Sequence, residues 1–181
     1  MPPRFIILYE GPNDRRFLET IVKPKLSGSY RVVMFKQSCL SKRVRSEIVR
    51  EARIKKEPVV CICDLDDYEC FPKKRETVAS CFGLKDEDCI TIVCREMEGW
   101  FLAGASDEAA SALGLSVPVD TSSLAKEQFN DMVVKAQRSR IEVIVTILDS
   151  FDLDKAKERN SSFEHYWRTW VAPFSVKSGA V

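Results

Sequence analysis

The chain has 181 residues, 45% hydrophobic and 30% charged, enough for one compact domain with a real core and a small helical appendage. Lys and Arg total 28 against 27 Asp and Glu, so a net charge of +1 supplies no global pull on nucleic acid, and an anionic partner needs a local patch. Seven cysteines without C-x2-C knuckles, and a first apolar run too short for a signal peptide or a membrane span, predict a cytoplasmic protein with free, mostly buried thiols, no zinc ribbon and no membrane contact.

"FIILY" at 5–9 reads as a first strand. Asn13 is then read as the cap of a helix with Phe17, Leu18, Ile21 and Val22 along one side, ended by Pro24. "RVVMF" at 31–35 is a second strand, and Ser41 opens a helix carrying Val44, Ile48, Val49 and Ala52. "PVVCIC" at 58–63 is a third strand, followed by a weaker helix over 74–82 closed by Gly83. "CITIVC" at 89–94 is the fourth. These runs are rich in β-branched residues and do not alternate strictly, as suits strands covered on both faces. Strands alternating with helices predict right-handed crossovers and a parallel sheet ordered 2-1-3-4.

The remainder reads as helical. "MEGWFLAGA" follows the fourth strand, Ser106 caps "DEAASAL" and Gly114 stops it. A helix is expected near 123–137. "SRIE" at 139–142 has the form of a capping box ahead of Ile144, Val145 and Leu148. "SSFE", with Ser161 and Glu164, has the same form ahead of Tyr166, Trp167 and Trp170. The expected division is an α/β core at 1–105 and a helical extension at 106–175, packed as one unit, with a frayed tail "SVKSGAV".

The third strand runs into "CDLDDYEC", three carboxylates (Asp64, Asp66 and Asp67) within four positions. Such a cluster raises its own pKa values unless a counter-charge is supplied. In a parallel sheet, residues that follow the strands share the carboxyl edge, where open α/β sheets bind ligands. Glu10 follows the first strand, Asp64 and Asp66 the third, and Glu96 and Glu98 the fourth. Oxygen-only ligands suit Mg²⁺ or Mn²⁺, and the sole histidine, His165, lies far down the chain, which argues against zinc. Plainer readings are an acidic turn for Asp64 and Asp66, and a dipole-favoured first-turn acid for Glu98. The basic run from Lys42 to Lys56 is relieved by Glu47, Glu51 and Glu57. It reads as a solvated helix face, with a DNA or RNA backbone track as the alternative.

"YEGPNDRRFLETIV" resembles the first motif of the TOPRIM (topoisomerase-primase) domain, a Glu-Gly pair after strand one, and "CDLDD" resembles its Asp-x-Asp motif after strand three. "VCREMEGWFLAG" and "NSSFEHYW" are similar to elements of TOPRIM-like proteins related to the nuclease half of the OLD (overcoming lysogenisation defect) family. The resemblance covers most of the chain. It implies a TOPRIM-like Rossmannoid α/β fold and Mg²⁺- or Mn²⁺-dependent phosphodiester hydrolysis on nucleic acid by two-metal chemistry. By position it assigns acid/base duty to Glu10, metal binding to Asp64 and Asp66, and a later metal ligand to Glu98, with Glu96 in reserve. Arg95 would clamp a phosphate oxygen, Gly11 would let the backbone pass close to phosphate, and the free N–H groups at Asn13 and Asp14 would cradle it, although the Asp14 carboxylate, read as a helix cap, argues against an anion there. Where that family carries Asp after Leu-Ala or Leu-Gly, this chain has Gly104, so that either Asp107 stands in or the site is reduced. The alternative is a non-catalytic TOPRIM-like module acting with a partner ATPase. A homodimer is compatible with either.

Overall fold

The computed structural model describes residues 2–66, 68, 70–82 and 89–175. Its centre is a four-stranded parallel sheet in the expected order β2-β1-β3-β4, formed by β1 Arg4–Tyr9, β2 Arg31–Lys36, β3 Val59–Asp64 and β4 Ile90–Val93. Ile7 of β1 lies opposite Met34 on one side and Val60 on the other. Residues Phe5 to Leu8 are at most 1% exposed, so this strand is covered on both faces and needs no polar alternation. Ile6, Leu8, Val49, Cys61, Cys63, Val78 and Phe82 share one core cluster. All seven cysteines are free thiols.

After β1 comes α1, Pro12–Phe17, whose N-cap is Gly11 rather than Asn13. The capping acceptor comes from inside the helix: the Asp14 carboxylate takes the N–H of Glu10 at 3.0 Å and of Gly11 at 2.9 Å. Asn13 therefore sits within the first turn. Pro24 does not end the helical segment. The backbone widens into a π turn over Leu18–Val22 and resumes as α2, Lys23–Leu26, with Pro24 in its first turn, where a missing N–H leaves little unpaired. The next crossover is α3, Lys42–Ile54, where Ser41 accepts the N–H of Val44. The third, α4, spans Phe71–Phe82 and starts three residues before the expected 74. Gly83, its expected stop, lies outside the described residues.

Helices follow: α5 Glu98–Ala103, α6 Asp107–Leu113, α7 Lys126–Lys135, α8 Arg140–Asp149, α9 Leu153–Arg159 and α10 Ser161–Tyr166. Ser106 and Ser139 cap α6 and α8 as expected. Gly114 ends α6 in the left-handed region at φ +62°, where a Cβ would be strained. The cap of α10 is Asn160, not Ser161, and its side chain accepts the N–H of Phe163 at 3.0 Å.

The described residues pack as two compact units, one drawn from Met1–Ile92 and Trp170–Val181, the other from Val93–Thr169. The division thus falls ahead of α5, which the sequence reading kept with the strands up to residue 105. Every residue of α5 is buried, and the helix packs on α7, α8 and α9. Trp170, in contrast, packs on the core of the first unit. Among the described residues no helix is long and apolar enough to cross a membrane.

Candidate functional site

Glu10 directly follows β1, and Asp64 closes β3, the strand beside it. Because the two strands are parallel neighbours, their ends meet: Oε2 of Glu10 accepts the backbone N–H of Asp64 at 3.3 Å. Glu10 is only partly open to solvent, and burial pushes its carboxyl pKa up. The Asp64 N–H and the charge of Lys74 work against that rise, while Asp66 and Asp14 add to it. Asp14 is buried, and its pKa is also raised, by desolvation opposed by the N–H groups of Gly11 and Glu10. At Gly11, where the backbone was expected to pass close to phosphate, the N–H is bound by the Asp14 carboxylate.

Asp66 sits two residues beyond β3 with φ +52°, a left-handed conformation uncommon for a residue with a side chain. Its Oδ2 receives the ammonium of Lys74, from α4, at 2.7 Å. Lys74 is 7% exposed, and its Nζ also lies 4.7 Å from the centre of the Tyr68 ring. Burial works to lower its pKa, but the bond to Asp66 and the charges of Asp66 and Glu10 outweigh it, for a net rise.

Two participants escaped the sequence reading. Asp14 was seen only as a cap, although its spacing of four from Glu10 brings an acid back beside the first one. Lys74 was not singled out from Lys73 and Arg75. The signal for it is the buried stripe of α4, Lys74, Val78 and Phe82, in which a cation stands where a hydrophobe is expected.

The donor set at this edge is all carboxylate oxygen, the chemistry of a hard cation. The arrangement does not match a metal centre, however. Among the described residues no three His, Cys, Asp or Glu side chains come together as a metal-binding group, and Asp66 is engaged by Lys74. Asp67 lies outside the described residues.

The other candidates belong to the second unit. Arg95 is exposed, with φ +60°. Glu98 is 6% exposed and ion-paired with Arg140, which also bonds Asn130 and stacks over Phe129 with 5.2 Å to the ring centre. Burial, and then Glu98, push the pKa of Glu96 up against the opposing Lys126 backbone, and among the described residues Oε2 of Glu96 is enclosed with no hydrogen-bond partner. Asp107, the proposed substitute for a carboxylate at 104, is 80% exposed and paired with Lys155 at 2.6 Å, a bond that holds its pKa below the usual value.

Gly104 has a packing reason. A Cβ there would lie 2.1 Å from the ring of Phe151, which packs edge-on against Phe163. No carboxylate fits at this position unless that ring moves. Gly104→Ala is expected to lower stability by about 1–3 kcal/mol, read by urea denaturation. An unchanged midpoint would show that the ring can step aside.

A buried polar network ties the start of the second unit to its end. Oγ of Ser162 accepts the N–H of Cys94 at 3.1 Å and of the Trp100 indole at 2.8 Å, and donates to Oδ1 of Asn160 at 2.8 Å. Asn160 donates to Thr121 at 3.1 Å, and Thr121 donates to the carbonyl of Gly99 at 2.9 Å. Trp100 stacks on Tyr166 at 5.0 Å. The "Glu-Gly-Trp" and "Asn-Ser-Ser-Phe" strings thus recognise each other.

No protein-family model matches the chain, and no curated protein matches it. Among solved structures, the C-terminal region of the Burkholderia pseudomallei OLD protein superposes with a TM-score of 0.50 at 16% identity, over 95% of this chain and 100% of that one. At that identity the similarity is one of fold: the chain has the fold of the OLD C-terminal region.

Proposed function

We propose that this chain is a TOPRIM-like phosphodiester hydrolase of the OLD type, acting on nucleic acid with Mg²⁺ or Mn²⁺ in a reducing cytoplasm. The observation that carries this reading is Glu10. It stands at the end of a central strand, in the fold of the OLD C-terminal region, with its proton affinity raised by burial and its carboxylate oriented by the N–H of Asp64. A carboxyl whose pKa moves toward neutrality can give a proton to a leaving oxygen or take one from water near physiological pH. Asp64 would fix the orientation of Glu10 through its backbone. The exposed cations of α3 are interleaved with Glu47 and Glu51, which pair with Arg50 and Lys55, so nucleic-acid backbone contact along that face would be weak.

A panel of single- and double-stranded DNA and RNA, with Mg²⁺ and Mn²⁺ in parallel, tests the reading. Ion-dependent cleavage is expected. Its absence on every substrate with either ion would overturn the proposal. The second reading, a non-catalytic module working with a partner ATPase, is favoured by one observation: Lys74 already neutralises Asp66, as befits an edge kept for shape.

A further inference from the structure

We propose that the outer edge of β2 is a docking site for an extended peptide segment of another protein, apolar in its middle and acidic at both ends, which adds to the sheet as a fifth strand. The inference goes beyond the hydrolase reading and does not depend on it.

β2 ends the sheet, and among the described residues β1 is its one strand partner. Arg31 donates its N–H to the carbonyl of Pro3 at 2.9 Å, and ladder donors in a parallel pair recur at every second residue. Val33 and Phe35 therefore also face β1. Val32 and Met34 turn both N–H and C=O to the open side, and Lys36 turns its N–H there. The neighbouring strand agrees, since Ile6 donates to Pro58 on the β3 side, which leaves Phe5 and Ile7 for β2. Val32 to Phe35 are only half-buried, whereas Phe5 to Leu8 are at most 1% exposed. The edge holds six residues without proline, and "VVMF" at its centre has the composition of an inner strand.

Charge selects the occupant. Arg31 and Lys36 stand exposed at the two ends of β2, which contains no acid, and Lys36 also attracts Asp14. A second copy paired edge to edge would line four cations and no carboxylate along the joint, and like charges across strands repel. A segment with an acid at each end meets a cation at each end, in either direction. Its apolar middle also has a place to go. On α3, Ser46 donates to the Phe82 carbonyl and Arg45 lies over the Phe82 ring at 4.8 Å, so that flank meets α4. Val44 and Ile48 are each two residues from Ser46, about 200° around the helix, on the opposite flank. Because α4 crosses from β3 to β4, the flank turned away from it lies toward β2. There Arg43, Val44, Glu47, Ile48 and Glu51 line a hollow of about 270 Å³. Its two acids are paired with Arg50 and Lys55, and Val44 is 44% exposed, which leaves an apolar floor for one side chain of the added strand.

The test titrates the full chain into a fluorescein-labelled peptide, Glu-Glu-Val-Thr-Val-Thr-Val-Glu-Glu, and into its twin with Lys for every Glu, read by fluorescence anisotropy. The acidic peptide is expected to bind about tenfold tighter or more, and Arg31→Glu combined with Lys36→Glu to invert the preference. Met34→Pro removes an outward N–H and leaves the ladder to β1 intact, so it is expected to weaken binding by about tenfold or more. Should that variant not fold, amide hydrogen exchange of the wild type decides. Val32, Met34 and Lys36 are expected to exchange fast in the free chain and to slow by about tenfold or more with saturating peptide, while Val33 and Phe35 are slow throughout. Outward amides that are slow without peptide at low protein concentration, or that stay fast with it, would overturn the proposal. So would binding by neither peptide at millimolar concentration, or equal binding by both. Slowing that grows with protein concentration alone would give the edge to a second copy and overturn it too.

Discussion

Glu10→Gln is expected to reduce phosphodiester cleavage by about 10²-fold or more, the contribution of a positioned acid or base, while the chain melts at the same temperature or higher. Gln preserves the length of the side chain and an oxygen that can still accept the N–H of Asp64, now at 3.3 Å from Oε2. What it removes is the exchangeable proton and the charge. Burial raises the carboxyl pKa of Glu10 in the folded chain above its unfolded value. A raised acid binds more protons folded than unfolded, so it weakens the fold as pH climbs through the window between the two values. Wild type carries that penalty at neutral pH and the amide does not. The difference in Tm should be zero or positive near pH 7 and should close as pH falls below about 4, where both states of Glu10 are protonated. Differential scanning fluorimetry across that range, beside the cleavage assay, reads both effects. A Gln variant that melts well below wild type at pH 7 would mark Glu10 as a structural acid.

The parts that local pattern could reveal were those that depend on local pattern. Short β-branched runs separated by one-sided helices dictate a parallel sheet, and the order 2-1-3-4 follows from short right-handed crossovers. That order makes β1 and β3 neighbours, which is why Glu10 and Asp64, 54 positions apart, share a hydrogen bond. The counter-charge to the acids was harder to see. Among the adjacent cations Lys73, Lys74 and Arg75, only the facing of α4 against the sheet selects Lys74, and that facing is a tertiary fact. Repulsion among carboxylates reads the same whether an ion or an ammonium answers it. Glu98 shows the same limit. Its partner Arg140 lies 42 positions away, beyond the reach of any spacing rule. The π turn at Leu18–Val22 misled in another way, because it lets a helical segment continue through Pro24 where an α-helix would stop.

Asn160 was missed for a related reason: a neighbouring Ser-Ser-Phe-Glu string imitates a capping box, whereas the cap was chosen by what else its side chain could do. Asn160 is fully buried. Its oxygen accepts both the N–H of Phe163 and the hydroxyl of Ser162, and its amide nitrogen donates to Thr121. Serine carries one donor and two acceptor lone pairs on a single oxygen, whereas the amide of Asn160 sets its donor apart from its acceptor and so reaches partners on two sides. Asn160→Ala therefore removes a cap, leaves the buried N–H of Phe163 without its acceptor and takes one partner each from Ser162 and Thr121, and it is expected to lower stability by about 2–4 kcal/mol. Loss of that size is large against a typical total of about 5–15 kcal/mol. The sharper comparison is Asn160→Asp. At an ordinary N-cap, Asp and Asn are nearly equivalent. Here the donor to Thr121 becomes a second acceptor, and the hydroxyl of Thr121 can answer it only by abandoning the carbonyl of Gly99. A charge is also buried without a cation, so the fold should be weakest at neutral pH and recover as acid protonates the introduced carboxylate. Asp152→Asn, at the more open cap of α9, is the control and should shift stability by less than about 0.5 kcal/mol. Urea denaturation of the three variants at two pH values decides the matter. If Asn160→Asp behaves like Asp152→Asn, the side-chain nitrogen of Asn160 has no role, and the network that ties "Glu-Gly-Trp" to "Asn-Ser-Ser-Phe" does not hold this unit together.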